Sequence, residues 1–277
     1  MTSCAACGAS DARELWRVRD YPVVACRRCG LARTELPPGF DPASIYTQSY
    51  FDGGQTDAYM DYQASADTLR AEFARTLDVL VRHGAERGSL IEIGCAYGYF
   101  LDVARERFSV AGVEVSDPAR DACRSRGLEV ERELSPELRE RRGPFDAAVL
   151  LDVIEHLADP AGVLATLRGA MRTGGRILLT TGDFGSLYAR LAGRRWRLMT
   201  PPQHLWFFTR ATLEATLQRS GFRLRGYDHP WKLVPLSMVV YQGLRLAGRS
   251  APEWARKLPG GLPVNLFDAM RLVAEAV

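Results

Sequence analysis

The sequence predicts a doubly wound α/β sheet that follows a small N-terminal module. From residue 89 onward, short apolar runs alternate with segments whose apolar residues recur at helical spacing. This is the pattern of a mostly parallel sheet with helices on both faces. The first 30 residues instead hold two closely spaced cysteine pairs. With 277 residues, of which 47% are hydrophobic, the chain can bury a large core without disulfide bonds.

The N-terminal module is predicted from Cys4-x2-Cys7 and Cys26-x2-Cys29, whose spacing is that of a four-cysteine zinc site. Gly8 and Gly30 follow the two pairs and permit the tight turns that bring backbone N–H groups toward the sulfurs. Four thiolates leave no open position on Zn²⁺, so the site is predicted to be structural, in a ribbon over residues 1–35. The alternative is a set of reduced thiols without metal.

Residues 36–88 are predicted to form a linker and an N-terminal cap. Residues 36–42 are rich in proline and turn formers, and a helical pattern runs from Leu69 to Leu80. Between them lie five aromatic residues, which could cover a ligand or pack on that helix: Tyr46, Tyr50, Phe51, Tyr59 and Tyr62.

The strands of the main domain, residues 89–277, are predicted from apolar runs: Leu90–Ile93, Val110–Val115, Leu128–Val130, Phe145–Leu151, Ile177–Thr181, Phe222–Tyr227 and Met270–Ala274. Helices are predicted at Tyr99–Phe108, from Asp117-Pro118, from Asp159-Pro160 to Gly174-Gly175, and from Thr209 to Gly221. Their boundaries follow from N-cap residues, first-turn prolines and C-terminal glycines.

The first strand leads into a glycine-bearing turn, Gly94 to Gly98, and then a helix. In such sheets, ligands bind beyond the carboxyl ends of the strands, and a helix N-terminus favours anions. Glu114 lies 20 residues after Gly94, at the end of the second strand, where a carboxylate can accept both hydroxyls of a ribose. These features predict an adenosine-containing ligand. The dinucleotide fingerprint does not fit, because Ala96 stands at its second glycine.

Three segments resemble class I S-adenosylmethionine-dependent methyltransferases. Residues 92–98 resemble the cofactor loop, residues 145–157 the fourth-strand motif, and residues 167–181 the segment after it. His204 to Thr209 also matches a recurring segment in one branch. That branch often carries an N-terminal zinc ribbon and includes sugar and natural-product methyltransferases.

The resemblance implies a Rossmann-like, seven-stranded sheet with lid insertions at about 183–210 and 231–263. Carried over by position, Glu92 lies near the amino group of the cofactor, and Glu114 holds its ribose with Val115 against adenine. The remaining cofactor-binding positions, around the methionyl portion, are Gly94, Cys95, Ala96, Gly98, Leu151 and Asp152.

His204 is the predicted catalytic base for a hydroxyl or acidic C–H acceptor. It aligns with the last residue of a His-Glu-His run in related sugar C-methyltransferases, of which only that residue matches. His156, after the fourth strand, is the second candidate and is otherwise a packed residue of a recurrent Glu-His-Leu motif. Asp183, after the fifth strand, is the third and is otherwise a turn aspartate.

The predicted acceptor is a small molecule: a sugar, a nucleotide-linked sugar or a specialised metabolite. The small excess of basic residues, 36 against 33 acidic, argues against nucleic acid. No apolar run long enough to span a membrane and no secretory signal is evident, so we expect a cytoplasmic monomer or homodimer. Two alternatives remain open: an RNA methyltransferase that uses the ribbon as reader, and a non-catalytic scaffold with this fold.

Overall fold

A seven-stranded sheet forms the centre of the protein, for which a computed structural model describes residues 3–46, 62, 65–246, 252–256, 258 and 260–277. In chain order the strands are β1 (Ala12–Val18), β2 (Tyr21–Cys26), β3 (Ala32–Thr34), β4 (Gly88–Ile93), β5 (Phe108–Val113), β6 (Val130–Glu131), β7 (Phe145–Leu151), β8 (Met171–Gly182), β9 (Trp206–Phe207), β10 (Phe222–Asp228), β11 (Lys232–Pro235), β12 (Gly261–Val264) and β13 (Ala269–Ala276). The central sheet has the order β10-β13-β8-β7-β4-β5-β6, and β13 runs antiparallel to both of its neighbours.

The helices are α1 (Ala66–Arg82), α2 (Tyr99–Ala104), α3 (Asp117–Arg124), α4 (Pro136–Arg142), α5 (Pro160–Ala170), α6 (Leu187–Ala192), α7 (Arg210–Arg219), α8 (Leu236–Leu246) and α9 (Glu253–Arg256). They cover both faces of the sheet. Ala148 of β7 packs in a core with α5 and α7, whereas Ala147 packs in the opposite core with α1 and α2. Because successive strand residues point to opposite faces, a strand covered on both sides reads as one apolar run.

All seven predicted strands of the sheet are present, although most of their ends differ from the predicted ones, and two predicted helix ends are wrong. The helix predicted over Tyr99–Phe108 ends at Ala104, because Phe108 already begins β5. The helix predicted to reach Gly174-Gly175 ends at Ala170, and both glycines lie within β8. Between the pairs Phe145–Met171 and Ala147–Arg176, β7 and β8 are out of register, and Gly174 has φ +85°. The two glycines therefore mark a bulge rather than a helix terminus.

The N-terminal ribbon shares its sheet with the main domain. Strands β1, β2 and β3 are antiparallel, and β3 pairs with β9 through Ala32–Phe207 and Arg33–Trp206. Cys4, Cys26 and Leu31 are buried in the same core as α7. The predicted domain boundaries stay a prediction, but the buried ribbon residues that the structure describes share their cores with the main domain.

The first predicted lid insertion, residues 183–210, is hydrogen-bonded to Asp268, the residue before β13. The Trp196 indole Nε1 donates to Asp268 at 2.9 Å, and the Arg197 guanidinium donates to both Asp268 oxygens at 2.9 Å. Asp268 is 1% exposed. In the second predicted insertion, β11 and β12 form a separate two-stranded sheet.

None of the helices within the described residues is long and apolar enough to cross a membrane.

Candidate active site

The candidate site lies at the carboxyl edge of the central sheet. Gly94, Glu114, Asp152 and Asp183 directly follow β4, β5, β7 and β8, which are parallel to one another. The carboxyl ends of parallel strands share one edge, which is where α/β sheets bind ligands. The fold thus brings these four predicted site positions to one edge.

The loop after β4 and Glu114 are in direct contact. The Ala96 N–H donates to Glu114 Oε2 at 2.8 Å, and the Ser116 N–H donates to Oε1 at 2.8 Å. Ala96 has φ +46°, a left-handed conformation that costs a non-glycine residue about 1 kcal/mol. The carboxylate of Glu114 offsets that cost by bonding the Ala96 N–H. Gly94, at φ +71°, cannot be replaced by alanine without a 2.5 Å approach to Val153.

Glu92 is buried beneath this loop, and its Oε2 has no hydrogen-bond partner among the described residues. Burial and the nearby thiol of Cys123 and carboxyl of Glu114 raise the pKa of Glu92 well above its usual value. Burial also raises the pKa of Glu114, although backbone N–H donors oppose the shift. An unpaired buried carboxylate oxygen beside the loop fits a ligand that brings a cationic amino group.

Two other predicted cofactor contacts, Cys95 and Val115, differ in how exposed their side chains are. The Cys95 sulfur packs beneath the loop, where a Cβ on Gly112 would lie 2.8 Å from it. The Cys95 side chain is buried, and its role as a cofactor contact stays a prediction. Val115 is 37% exposed, so its side chain is open to a ligand, and its contact with adenine stays a prediction.

Aromatic residues of the predicted cap reach both parts of the site. Tyr62 stacks on Tyr97 and Tyr99 beside the loop, with ring centroids 5.8 and 5.4 Å away. Tyr46 lies edge-on to His156 at 5.9 Å. Tyr50, Phe51 and Tyr59 lie outside the described residues.

Asp152 is paired with Lys232, a residue that the sequence analysis missed. Asp152 Oδ2 accepts from Lys232 Nζ at 2.5 Å, and Oδ1 accepts from the Thr180 hydroxyl at 3.0 Å. Burial by itself raises the pKa of Asp152, but Lys232 and Thr180 outweigh it and hold the pKa below its usual value. Only two of the 36 basic residues are lysines, Lys232 and Lys257, and this rarity is the signal that could have singled out Lys232.

We expect Lys232→Met to loosen the β11–β12 sheet, because the Lys232–Asp152 ion pair ties β11 to the end of β7. Both side chains are partly exposed, so the expected effect is modest: about twofold to fivefold faster hydrogen exchange of the β11 and β12 amides. Lys232→Arg, which keeps the charge, is the matched control. Equal exchange in the Met and Arg variants would show that the pair does not hold this sheet.

His156 and His204 are brought together, with ring centroids 4.7 Å apart. Nδ1 of His156 lies 2.8 Å from the carbonyl oxygen of Gln203, and Nδ1 of His204 lies 2.7 Å from that of Leu198. A carbonyl can only accept, so each Nδ1 carries the proton and each Nε2 keeps its lone pair. Burial lowers the pKa of both rings, that of His204 to about 3. His204 as the base stays a prediction, but by itself it is a weak base.

Glu155 joins this pair and was not among the predicted site residues. It is buried, and its Oε2 has no hydrogen-bond partner among the described residues. Burial and the Asp152 charge raise its pKa to about 8. Its adjacency to His156 was visible in the sequence, whereas the approach of His204 depends on the tertiary fold.

Asp183, the third predicted catalytic residue, belongs to a different polar group. Its Oδ1 accepts the Gly185 N–H at 2.8 Å, and its Oδ2 accepts from the Tyr227 hydroxyl at 3.3 Å. The Tyr227 oxygen also lies 2.9 Å from His229 Nε2. Burial and Asp183 raise the pKa of Tyr227 to about 12. Both oxygens of Asp183 therefore have partners, as in a turn aspartate, and its role as a base stays a prediction.

The ribbon holds the backbone of the His204 segment. The Thr34 hydroxyl donates to the His204 carbonyl oxygen at 2.7 Å, and the Thr34 N–H donates to that of Leu205 at 2.9 Å. On the other side, the Leu205 N–H donates to the Glu155 carbonyl oxygen at 2.8 Å. The segment that carries His204 thus lies between a ribbon strand and the turn that carries Glu155 and His156.

The four ribbon cysteines converge as the zinc prediction requires. The Cys4–Cys29 and Cys7–Cys26 sulfurs lie 3.4 and 3.5 Å apart, and all four sulfurs are within 4.8 Å of one another. Tetrahedral Zn²⁺ with bonds of about 2.3 Å separates its sulfurs by about 3.8 Å. Burial raises the pKa of Cys26, but the N–H groups of Cys29 and Arg28 outweigh it and lower the pKa to about 7. The donor set and geometry fit zinc.

A family model described as "Methyltransferase domain" matches residues 62–226, more than half of the chain. The chain belongs to this methyltransferase family. Among its relatives, a protein named ubiquinone biosynthesis O-methyltransferase from Xylella fastidiosa (strain M23) is 24% identical over 219 residues. That alignment covers 71% of this chain and 89% of the relative.

Two solved structures show the fold of this methyltransferase. Magnesium protoporphyrin IX methyltransferase from Synechocystis PCC 6803, with bound SAH, matches with a TM-score of 0.51 and 13% identity, over 84% of this chain and 99% of that one. A chain from the complex of the Haloferax volcanii Trm112 methyltransferase activator with the putative methyltransferase matches with a TM-score of 0.53 and 14% identity, over 85% and 97%. The predicted class I S-adenosylmethionine-dependent methyltransferase fold is confirmed. The family match and the named relatives support the prediction of a methyltransferase enzyme.

Proposed function

We propose that this methyltransferase transfers the methyl group of S-adenosylmethionine to a hydroxyl oxygen of a small molecule. The observation that carries the proposal is the placement of two groups at one sheet edge. One is the loop from Gly94 to Gly98 with Glu114, and the other is the cluster of Glu155, His156 and His204. The O-methyltransferase name of the Xylella relative supports oxygen as the acceptor atom.

The cofactor would be held by the loop and the two buried carboxylates. Each Glu114 oxygen accepts one backbone N–H and has a second lone pair for a ribose hydroxyl. Glu92 Oε2 would accept a hydrogen bond from the amino group of the cofactor, directly or through water. This bond would give the buried oxygen the partner that it otherwise lacks. The loop backbone would line the methionyl portion, and Asp152 would lie at its end.

The chemistry is an in-line displacement at a methyl carbon: the bond to the acceptor oxygen forms as the carbon–sulfur bond breaks, and the cofactor, when bound, would supply the sulfonium whose thioether leaves. The protein positions the acceptor oxygen behind the methyl group and excludes water. We propose that His204 and His156 hold the acceptor hydroxyl through their Nε2 atoms, with His204 as the group nearest to a base. The acceptor class stays a proposal: a sugar, a nucleotide-linked sugar or a hydroxylated specialised metabolite.

The shared sheet supports a small-molecule enzyme over an RNA methyltransferase that reads through the ribbon. Strand β3 of the ribbon pairs with β9, and the turn at Cys4 is buried against α7. Those parts of the ribbon serve the methyltransferase domain itself. The non-catalytic alternative is tested by turnover.

The experiment is transfer of isotope-labelled methyl from S-adenosylmethionine to a panel of hydroxylated sugars and aromatic metabolites. We expect product with at least one acceptor, labelled on oxygen. Labelled RNA without any labelled small molecule would favour the RNA methyltransferase, and no transfer to any acceptor despite cofactor binding would favour the scaffold.

We expect His204→Asn to lower kcat about a hundredfold or more, the usual contribution of a group that assists proton removal, with an unchanged Kd for S-adenosylmethionine. Asparagine can still donate to the Leu198 carbonyl but lacks Nε2. The matched control is His83→Asn, since His83 Nδ1 makes the same kind of bond to the Val79 carbonyl at 2.9 Å, away from the site. Near-normal turnover in His204→Asn would remove His204 from the reaction.

A further inference from the structure

Three side chains of two separate segments converge at the acceptor end of the site. Glu155 and His156 belong to the turn Ile154–His156 after β7, and His204 comes from the segment before β9. One ligand atom from each lies within 4.8 Å of the other two. These ligand atoms are one carboxylate oxygen and two imidazole nitrogens.

Each of the three residues can offer a lone pair to a cation. The Nδ1 atoms of both rings are committed to the Gln203 and Leu198 carbonyls, which fixes the ring orientations and leaves Nε2 as the donor. A backbone carbonyl on the far nitrogen is the usual outer partner of a metal-bound histidine. Glu155 Oε2 is buried and has no partner among the described residues, and buried carboxylate oxygens rarely remain so without a ligand.

We propose that Glu155, His156 and His204 bind a divalent transition-metal cation. Two imidazoles and one carboxylate suit Zn²⁺, Co²⁺, Fe²⁺ or Mn²⁺ better than Mg²⁺ or Ca²⁺, which prefer oxygen ligands. Metal bonds of about 2.0–2.2 Å bring ligand atoms to about 3.5 Å from one another, so the cluster contracts on binding. Three protein ligands leave positions open, unlike the four thiolates of the ribbon.

The cation would hold and activate the acceptor hydroxyl. This inference rests on the proposed function and refines it: the two Nε2 atoms would bind the cation, and the acceptor hydroxyl would take the open position on the cation instead of contacting the rings directly. A hydroxyl bound to a divalent cation has a lowered pKa and releases its proton to solvent more readily. The Asp152 carboxylate, paired with Lys232, is not part of the set.

The test is a cobalt titration of the full-length, zinc-loaded protein, followed by visible absorption and by metal analysis. We expect one Co²⁺ per chain beyond the ribbon zinc, with ligand-field bands but without the near-ultraviolet charge transfer that marks cobalt on thiolates. Zn²⁺ should displace it, and excess Mg²⁺ should not.

Variants locate the site. His156→Asn and His204→Asn keep a donor for the hydrogen bond to the backbone carbonyl but remove Nε2. Each should weaken cobalt binding at least tenfold, because loss of an outer-shell partner alone lowers metal affinity by about 10–100-fold. His83→Asn should bind cobalt like the wild type. The near-ultraviolet circular dichroism of every variant shows whether it is folded.

Two results would overturn the metal site: no cobalt beyond the ribbon equivalent, or an extra equivalent that both site variants retain. Titration of the same samples with S-adenosylmethionine separates this inference from the proposed function. Cofactor binding and methyl transfer in a protein without a second metal would remove the metal site and leave the function standing. Cobalt binding in a protein that does not bind S-adenosylmethionine would support the metal site and contradict the function.

Discussion

Replacement of Glu114 by alanine is expected to weaken S-adenosylmethionine binding by about tenfold to a hundredfold while the protein stays folded. A hydrogen bond to a charged group contributes about 1.5–3 kcal/mol, and 1.4 kcal/mol corresponds to a factor of ten. The variant would lose the bonds to the ribose. It would also lose the acceptor for the Ala96 N–H, which supports the left-handed conformation of the loop. Equilibrium dialysis with labelled cofactor measures the change in Kd.

The matched control is Glu133→Ala, which removes an exposed carboxylate two residues after β6. It should bind the cofactor like the wild type, and both variants should unfold within a few degrees of it. If Glu114→Ala binds S-adenosylmethionine as tightly as this control does, Glu114 does not hold the ribose.

Loss of the predicted ribbon zinc is expected to lower kcat far more than it weakens cofactor binding. Cys26 is the last residue of β2 and one of the four converging sulfurs, so Cys26→Ser should lower the bound zinc and destabilise the N-terminal strands. Thr34 then no longer fixes the backbone at His204 and Leu205. A displacement near 1 Å at a reacting group costs about a hundredfold in rate. We expect kcat to fall by that order and Kd for S-adenosylmethionine to change less than about threefold.

Variants of Thr34 distinguish the loss of positioning at His204 from a general loss of stability. Thr34→Val keeps the shape but removes the hydroxyl that bonds the His204 carbonyl, and we expect kcat to fall about tenfold. Thr34→Ser retains the hydroxyl and should restore most of the activity. Wild-type turnover in Thr34→Val, or full zinc content and turnover in Cys26→Ser, would show that the ribbon does not position this segment.

The fold could be predicted where local sequence and tertiary environment agree. Phe145–Leu151 is buried on both faces, so its apolar run identifies the strand without knowledge of its neighbours. The side chains of Asp159 and Thr209 accept hydrogen bonds from backbone N–H groups in the first turns of α5 and α7, and such caps depend only on nearby residues. Phe108 is predicted in a helix because an apolar residue fits a helix or a strand equally well. Only the packing of β5 in the sheet determines that it belongs to a strand.

The site could be predicted only in part for the same reason. The cysteine pairs and the loop with Glu114 have spacings that follow from their chemistry. Lys232 lies 80 residues from Asp152 and Thr34 170 residues from His204, and no local pattern links such partners. The short strand β9, with two residues, exists because β3 pairs with it, so the sequence of residues 206–207 cannot specify it.

The cofactor site formed by the loop and Glu114 is tested most directly by a calorimetric titration. The full-length, zinc-loaded protein is titrated with S-adenosylmethionine and with its demethylated product. We expect both to bind at one site per chain with micromolar or tighter affinity, in competition with each other. Absence of binding to both, in a protein that is folded and retains its zinc, would contradict the assignment of the loop and Glu114 as the cofactor site.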